Sequence, residues 1–253
     1  THHPAVKPAP EPKYHSAHFI GELTGEPAVH LMKNGIRLST ELDDSALIIV
    51  DGENLTDSLL ERSKPMIDRV TATGGLIWVM VSGKPLSKSA ERLLPEKVEF
   101  TRRKASSLQP GKGSVLDPFF ELPDLYFSEL EGERDIIQQG MQGDFVSKGN
   151  VLLEAVNIDW ALFNRYGENR KCAQVVLFEK LEKPSGAALV SLKKGNCDYL
   201  VSTLNCRLVT PETASMWKTL FQALEIRVMN SSEIQSGAEN STTHDLLLDG
   251  PVQ

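Results

Sequence analysis

The 253-residue sequence predicts an α/β fold: an open, mainly parallel sheet with crossover helices and a β-rich insertion in its middle. Three observations carry this expectation. Two short runs, ALIIV (46–50) and LIWVMV (76–81), are wholly apolar, of strand length, and end in turn residues. Strands buried on both faces read as unbroken apolar runs, whereas strands with one wet face alternate. The stretch between the runs has helical periodicity. The first third of the chain therefore alternates β-α-β-α-β, the pattern of parallel strands joined by crossover helices.

Each element has its own signals. HSAHFIGE (15–22) reads as a strand and turn. GEPAVHLMKNGI (25–36) reads as a short helix, with Ala28, Leu31 and Met32 on one face and Asn34-Gly35 as its stop. DSALIIVDGEN (44–54) contains the first buried strand. In the helix that follows, Asn54 or Thr56 is the cap and Leu59, Leu60, Ile67 and Val70 form the apolar stripe. Pro65 is expected to kink or restart that helix, and Gly74-Gly75 end it before the second buried strand.

From residue 97 the spacing shortens. KVEFTRR (97–103), DLYFSEL (124–130), DFVSKGNVLLEAVN (144–157) and AQVVLFEKL (173–181) read as strands. Residues 188–204 read as a hairpin turning at Lys194-Gly195-Asn196. TPETASMWKTLFQALEI (210–226) is a helix with Thr210 as cap, Pro211 in the first turn, and Met216, Leu220, Phe221 and Leu224 as its buried stripe. The organisation expected is a proline-rich linker over 1–14, an α/β domain over 15–228 with its β-rich part at about 97–205, and a flexible polar tail over 229–253. Both ends read as cuts between domains of a longer chain.

The net charge of −7 argues against nucleic acid or an anionic membrane surface as partner, because phosphate contacts need a basic face. Arg102-Arg103-Lys104 is too short a run to reverse that. No apolar stretch approaches a membrane span, and no signal peptide is visible in the first residues. Cys172, Cys197 and Cys206 show no metal-ligand spacing and read as buried thiols, with a Cys197–Cys206 bridge left open. The histidines show no metal-binding spacing either, so neither a metal nor a cofactor is expected.

Chemistry, if present, belongs at the strand ends. The turn Val81-Ser82-Gly83-Lys84-Pro85 follows a buried strand, where an α/β hydrolase would place its nucleophile, but Ser82 has a small neighbour on one side only. Asp51 and Glu53 stand at the carboxyl end of the other buried strand, where open sheets bind ligands. Ser82, Asp51 and Glu53 are thus weak catalytic candidates, with turn-forming roles as the alternative. Gly111 and Gly113 in PGKGS lack the complete phosphate-loop pattern. Trp160, Asn164, Arg165 and Tyr166 could build a sugar platform by stacking and hydrogen bonding, or form part of a surface helix.

ALIIVDGENLTDSLLERSKPMIDRVTATGGLIWVMV resembles the strand–helix–Gly-Gly–strand unit of class I glutamine amidotransferase-like domains, a flavodoxin-like architecture. GNVLLEAVNIDWALFNR, AALVSLKKGNCDYLVSTLN and TASMWKTLFQALEI are similar to the end of such domains where they accompany family 2 glycoside hydrolases of the β-galactosidase type. In active amidotransferases the elbow carries a cysteine. Ser82-Gly83 stands there in this chain, which implies that glutaminase activity is absent. The resemblance implies a non-catalytic accessory or assembly domain of a larger carbohydrate-active enzyme. Its partners would be a catalytic domain on the same or a companion polypeptide, a carbohydrate, or further copies of the chain. An extracytoplasmic location is compatible with it. The rival expectations are a free-standing small hydrolase using Ser82 or Asp51 with Glu53, and a carbohydrate-binding module using Trp160 and Tyr166.

Overall fold

The computed structural model describes residues 11–41, 44–105, 107–116, 125–126, 135–158, 182–207 and 211–229. In chain order its first elements are β1 (Ala17–Ile20), α1 (Glu26–Lys33), β2 (Leu38–Ser39), β3 (Leu47–Asp51), α2 (Asp57–Thr73), β4 (Leu76–Met80) and α3 (Lys88–Leu93). The β-rich stretch supplies β5 (Glu99–Thr101), β6 (Ser107–Pro110), β7 (Leu125–Tyr126), β8 (Gly140–Gln142), α4 (Asp144–Lys148), β9 (Asn150–Ile158), β10 (Glu182–Lys194) and β11 (Cys197–Ser202). The last helix is α5 (Pro211–Ala223).

Among the described residues all eleven strands join one sheet, with a main order β2-β1-β3-β4-β11-β10-β9-β6-β7. β2, β1, β3, β4 and β11 run parallel to one another. From β10 onward the pairing is antiparallel. β8 pairs with β10 and with β5, off the main path. The fold is α/β, as the apolar runs at 47–50 and 76–81 predict. The β-rich stretch is continuous with the parallel half, because β11 pairs with β4 on one edge and with β10 on the other.

The two buried strands divide their side chains between two cores. Leu76, Trp78 and Met80 enter one layer and Ile77, Val79 and Val81 the other, with the same alternation along β3. The first layer holds Leu31 of α1 and Met216, Trp217, Leu220 and Phe221 of α5. The second holds Met66, Ile67 and Val70 of α2, Ala90 of α3 and Phe145 of α4. Helices thus cover both faces, which is why these strands carry no polar alternation. Each large apolar chain so buried contributes about 1.5–3 kcal/mol.

Local chemistry sets the helix ends. Thr56 caps α2 by accepting the Leu59 N–H at 3.3 Å, and Ser87 caps α3 by accepting the Ala90 N–H at 3.1 Å. Pro65 does not restart α2, which runs through it as one helix. Pro65 and Glu61, whose carbonyl loses its partner, both lie on the solvent face, so water can satisfy that carbonyl. The expected strand over 144–157 divides in two: α4 precedes β9. Gly143, at φ 94°, turns the chain into α4, and the helix buries Phe145 in the second core layer. Thr210 and the expected strand over 173–181 lie outside the described residues. At the domain edges, Tyr14 is buried and bridges to Ile226, and the Met229 N–H donates to the Gly35 carbonyl at 2.8 Å.

Candidate functional site

Parallel pairing brings three strand ends to one edge. Asp51 of β3 and Ser202 of β11 both register with Met80 of β4. The loops that follow, 52–56, 81–87 and 203–207, therefore lie side by side at the carboxyl edge, where open α/β sheets bind ligands. A cleft of about 290 Å³ opens there, lined by Glu53, Ser82, Gly83, Lys84, Gln138, Asn205 and Arg207.

Asp51 and Glu53 do different work. Asp51 is buried and closes its own turn: Oδ1 accepts the Glu53 and Asn54 backbone N–H groups, each at 3.2 Å, and Oδ2 accepts the Asn54 side-chain amide at 2.9 Å. Glu53 instead reaches across to the next strand end. Its Oε1 accepts three successive backbone N–H groups, from Ser82 at 2.6 Å, Gly83 at 2.5 Å and Lys84 at 2.8 Å. Successive N–H groups converging in this way form an anion-binding nest. Here the anion is the chain's own carboxylate.

Ser82 is half-buried at the cleft wall. Its hydroxyl donates to the Leu204 carbonyl at 3.5 Å and accepts the Cys206 N–H at 3.4 Å, both long contacts. Among the described residues no histidine is hydrogen-bonded to it. Beside it lies Cys206, whose thiol burial pushes up to about 12 against the opposing Ser82 hydrogen bond. Burial likewise pushes Cys197 up to about 11. Both thiols are free, and they sit in different core layers with the sheet between them, so the bridge left open by the sequence does not form. His30, buried against Trp217 at 4.7 Å between ring centroids, is pushed down to about 4 by desolvation, partly offset by a Cys206 backbone hydrogen bond.

The far wall comes from the turn after β11. Asn205 donates from Nδ2 to the Asp135 carbonyl at 3.0 Å and accepts the Arg207 N–H at 2.9 Å, so its amide is held at both ends. Arg207 Nε meets Glu26 Oε2 at 2.6 Å, at the first turn of α1. Gln139 reaches the Lys84 carbonyl at 2.8 Å and ties the elbow to the 135–140 segment. Trp160, Asn164, Arg165 and Tyr166 lie outside the described residues. Lys84, Gln138, Asn205 and Arg207 escaped the sequence reading. The signal available for Lys84 and for the 205–207 turn was position alone, since each directly follows an apolar strand.

No family model matches the sequence, and no curated protein matches it. Solved structures similar in part include a protein from Thermoplasma acidophilum provisionally named as a GMP synthase component. It has 8% identity and a TM-score of 0.43 over 88% of this chain and 98% of that one. Another is alpha-L-fucosidase isoenzyme 2 from Paenibacillus thiaminolyticus, with 14% identity and a TM-score of 0.45 over 83% of this chain. The match takes in 32% of the fucosidase chain, so this sequence spans about a third of that protein's length. At these values the fold class rests on the strand order and pairing of the chain itself.

Proposed function

We propose that this chain is a non-catalytic accessory or assembly domain of a larger carbohydrate-active glycoside hydrolase, packing against a catalytic domain of the same or a companion polypeptide. The observation that carries the non-catalytic part is the Glu53 carboxylate seated on the Ser82, Gly83 and Lys84 N–H groups. An elbow that catalyses acyl transfer needs vacant N–H donors about 2.7–3.1 Å from the oxyanion that develops. A resident negative charge removes those donors and repels the oxyanion. The elbow also needs a nucleophile activated by a neighbouring base. The Ser82 hydroxyl is instead engaged with the Leu204 carbonyl and the Cys206 N–H. The carbohydrate part rests on the sequence resemblance of the 149–165, 187–205 and 213–226 segments to domains that accompany family 2 glycoside hydrolases.

The test is direct. The purified 253-residue chain is expected to leave a panel of aryl glycosides and aryl esters intact and to resist fluorophosphonate labelling at Ser82. Turnover abolished by S82A or E53Q would overturn the proposal.

A further inference from the structure

Among the residues that line the cleft, Glu53, Lys84 and Gln138 each keep a polar group unused by the described residues: the Glu53 oxygen not bound to the three N–H groups (Oε2), the Lys84 ammonium and the Gln138 side-chain amide. We infer that this cleft binds a small neutral polyhydroxylated molecule of monosaccharide size, with Glu53 Oε2 as the acceptor for its hydroxyls. The sugar class of the ligand rests on the reading above, and the site rests on the geometry.

A nest of N–H groups ordinarily selects an anion. With Glu53 in it, a second anion entering the cleft would meet the outer carboxylate oxygen, so Glu53 converts an anion site into a hydroxyl acceptor. The local charges agree. Lys84 balances Glu53, and Arg207 is engaged by Glu26 at 2.6 Å, so the described lining residues bring no net positive charge to hold an oxyanion. The groups that remain are one charged acceptor, one charged donor and one amide offering both, a set that matches a ring of hydroxyls, each of which can donate and accept.

Preorganisation favours the same ligand. Three N–H bonds on Oε1 fix the Glu53 side chain, so little rotamer freedom is lost when Oε2 is used. Hydrogen bonds to an ionised acceptor are roughly twice as strong as neutral ones. The volume of about 290 Å³ lies just under the range for ligand pockets, which runs from about 300 to 1,000 Å³, so only a small ligand fits. Among the described residues none that lines the cleft is aromatic, so recognition by them is polar and the affinity expected is millimolar.

The experiment is saturation-transfer NMR and calorimetry on the whole 253-residue chain, with D-glucose, D-galactose and inorganic phosphate as separate probes. At least one hexose is expected to bind with a millimolar Kd, and phosphate is expected to stay silent. E53Q keeps an oxygen for the three N–H groups and replaces the outer acceptor by a donor. It should weaken hexose binding about tenfold, the loss of one charged hydrogen bond. K84M, which is exposed and leaves the fold alone, should weaken it severalfold. Circular dichroism confirms the fold of each variant. Phosphate binding with silent hexoses, silence from all three probes, or unchanged hexose affinity in folded E53Q would each overturn the inference. Glycoside turnover would sink the non-catalytic reading and leave the site standing, whereas silent hexoses would sink the site and leave the scaffold role.

Discussion

Replacing Ser202 by alanine isolates an indole N–H at the centre of the sheet. Trp78 Nε1 donates to Ser202 Oγ at 2.8 Å, and both residues are fully buried, so no solvent stands by to replace the hydroxyl. A buried donor left without a partner costs about 1–3 kcal/mol, and the lost oxygen leaves too little room for a water with its own set of partners. A loss of about 2 kcal/mol lowers the melting temperature of a chain this size by roughly 4–8 °C. Urea unfolding followed by far-UV circular dichroism measures it. The W78F change removes the donor as well, so the double variant W78F/S202A should be more stable than the sum of the single losses, by about 1–2 kcal/mol. An S202A protein within about 0.5 kcal/mol of the parent, or strictly additive single losses, would refute the argument that this bond secures β4 to β11.

Two further outcomes follow from the structure. At Gly75 an added Cβ would lie 2.3 Å from the Ala46 carbonyl oxygen, which is held by the Leu76 N–H at 2.9 Å, and 2.7 Å from Cγ1 of Val70, which is buried on α2. G75A should therefore cost about 3 kcal/mol. At Gly195 a Cβ meets nothing within 4 Å and only the φ of 61° opposes it, so G195A should cost about 1 kcal/mol; the reverse ranking in urea unfolding would contradict the packing. His30 links stability to pH. Its folded pKa of about 4 lies below the unfolded value of 6.5, so the unfolded chain binds the proton first as pH falls. The contribution is complete above about pH 6.5, declines between 6.5 and 4, and is gone below, for a total on the order of 3 kcal/mol. Stability profiles of the parent and H30N should diverge in slope across that window, and parallel profiles would show that His30 does not carry the dependence.

What the sequence made legible was whatever rests on neighbours along the chain. The cap of α2 (Asn54 or Thr56 from sequence, Thr56 in the structure), Pro211 and the 194–196 turn announce their elements by local chemistry, and the runs at 47–50 and 76–80 announce double burial because both faces must be apolar. The helix at 144–148 was hidden because Phe145 and Val146 read equally well as strand residues, and the decision falls to Gly143 and to the tertiary contacts of Phe145. Trp217 was missed beside Met216 on α5, although both are buried, because the large side chains of α1 and of the sheet surround α5 over more than one narrow stripe. The cleft was half legible. Ser82, Asp51 and Glu53 could be named as strand-end residues, but the Glu53 contacts with residues 82–84 span about 30 positions and depend on β3 and β4 being adjacent. Asn205 and Arg207 join them only because β11 takes the next place in the sheet.

β11 belongs to two neighbourhoods of very different reach. Its pairing with β10 closes across a tight turn, whereas its bond to Trp78 links residues 124 positions apart. During synthesis, β4 must therefore wait with one edge uncovered until almost all of the described chain has emerged, and an open strand edge is a template for unwanted pairing. A product truncated before Cys197 would keep that edge exposed for good and should aggregate. A peptide carrying the 182–202 hairpin, supplied in trans, is the natural agent to cover it.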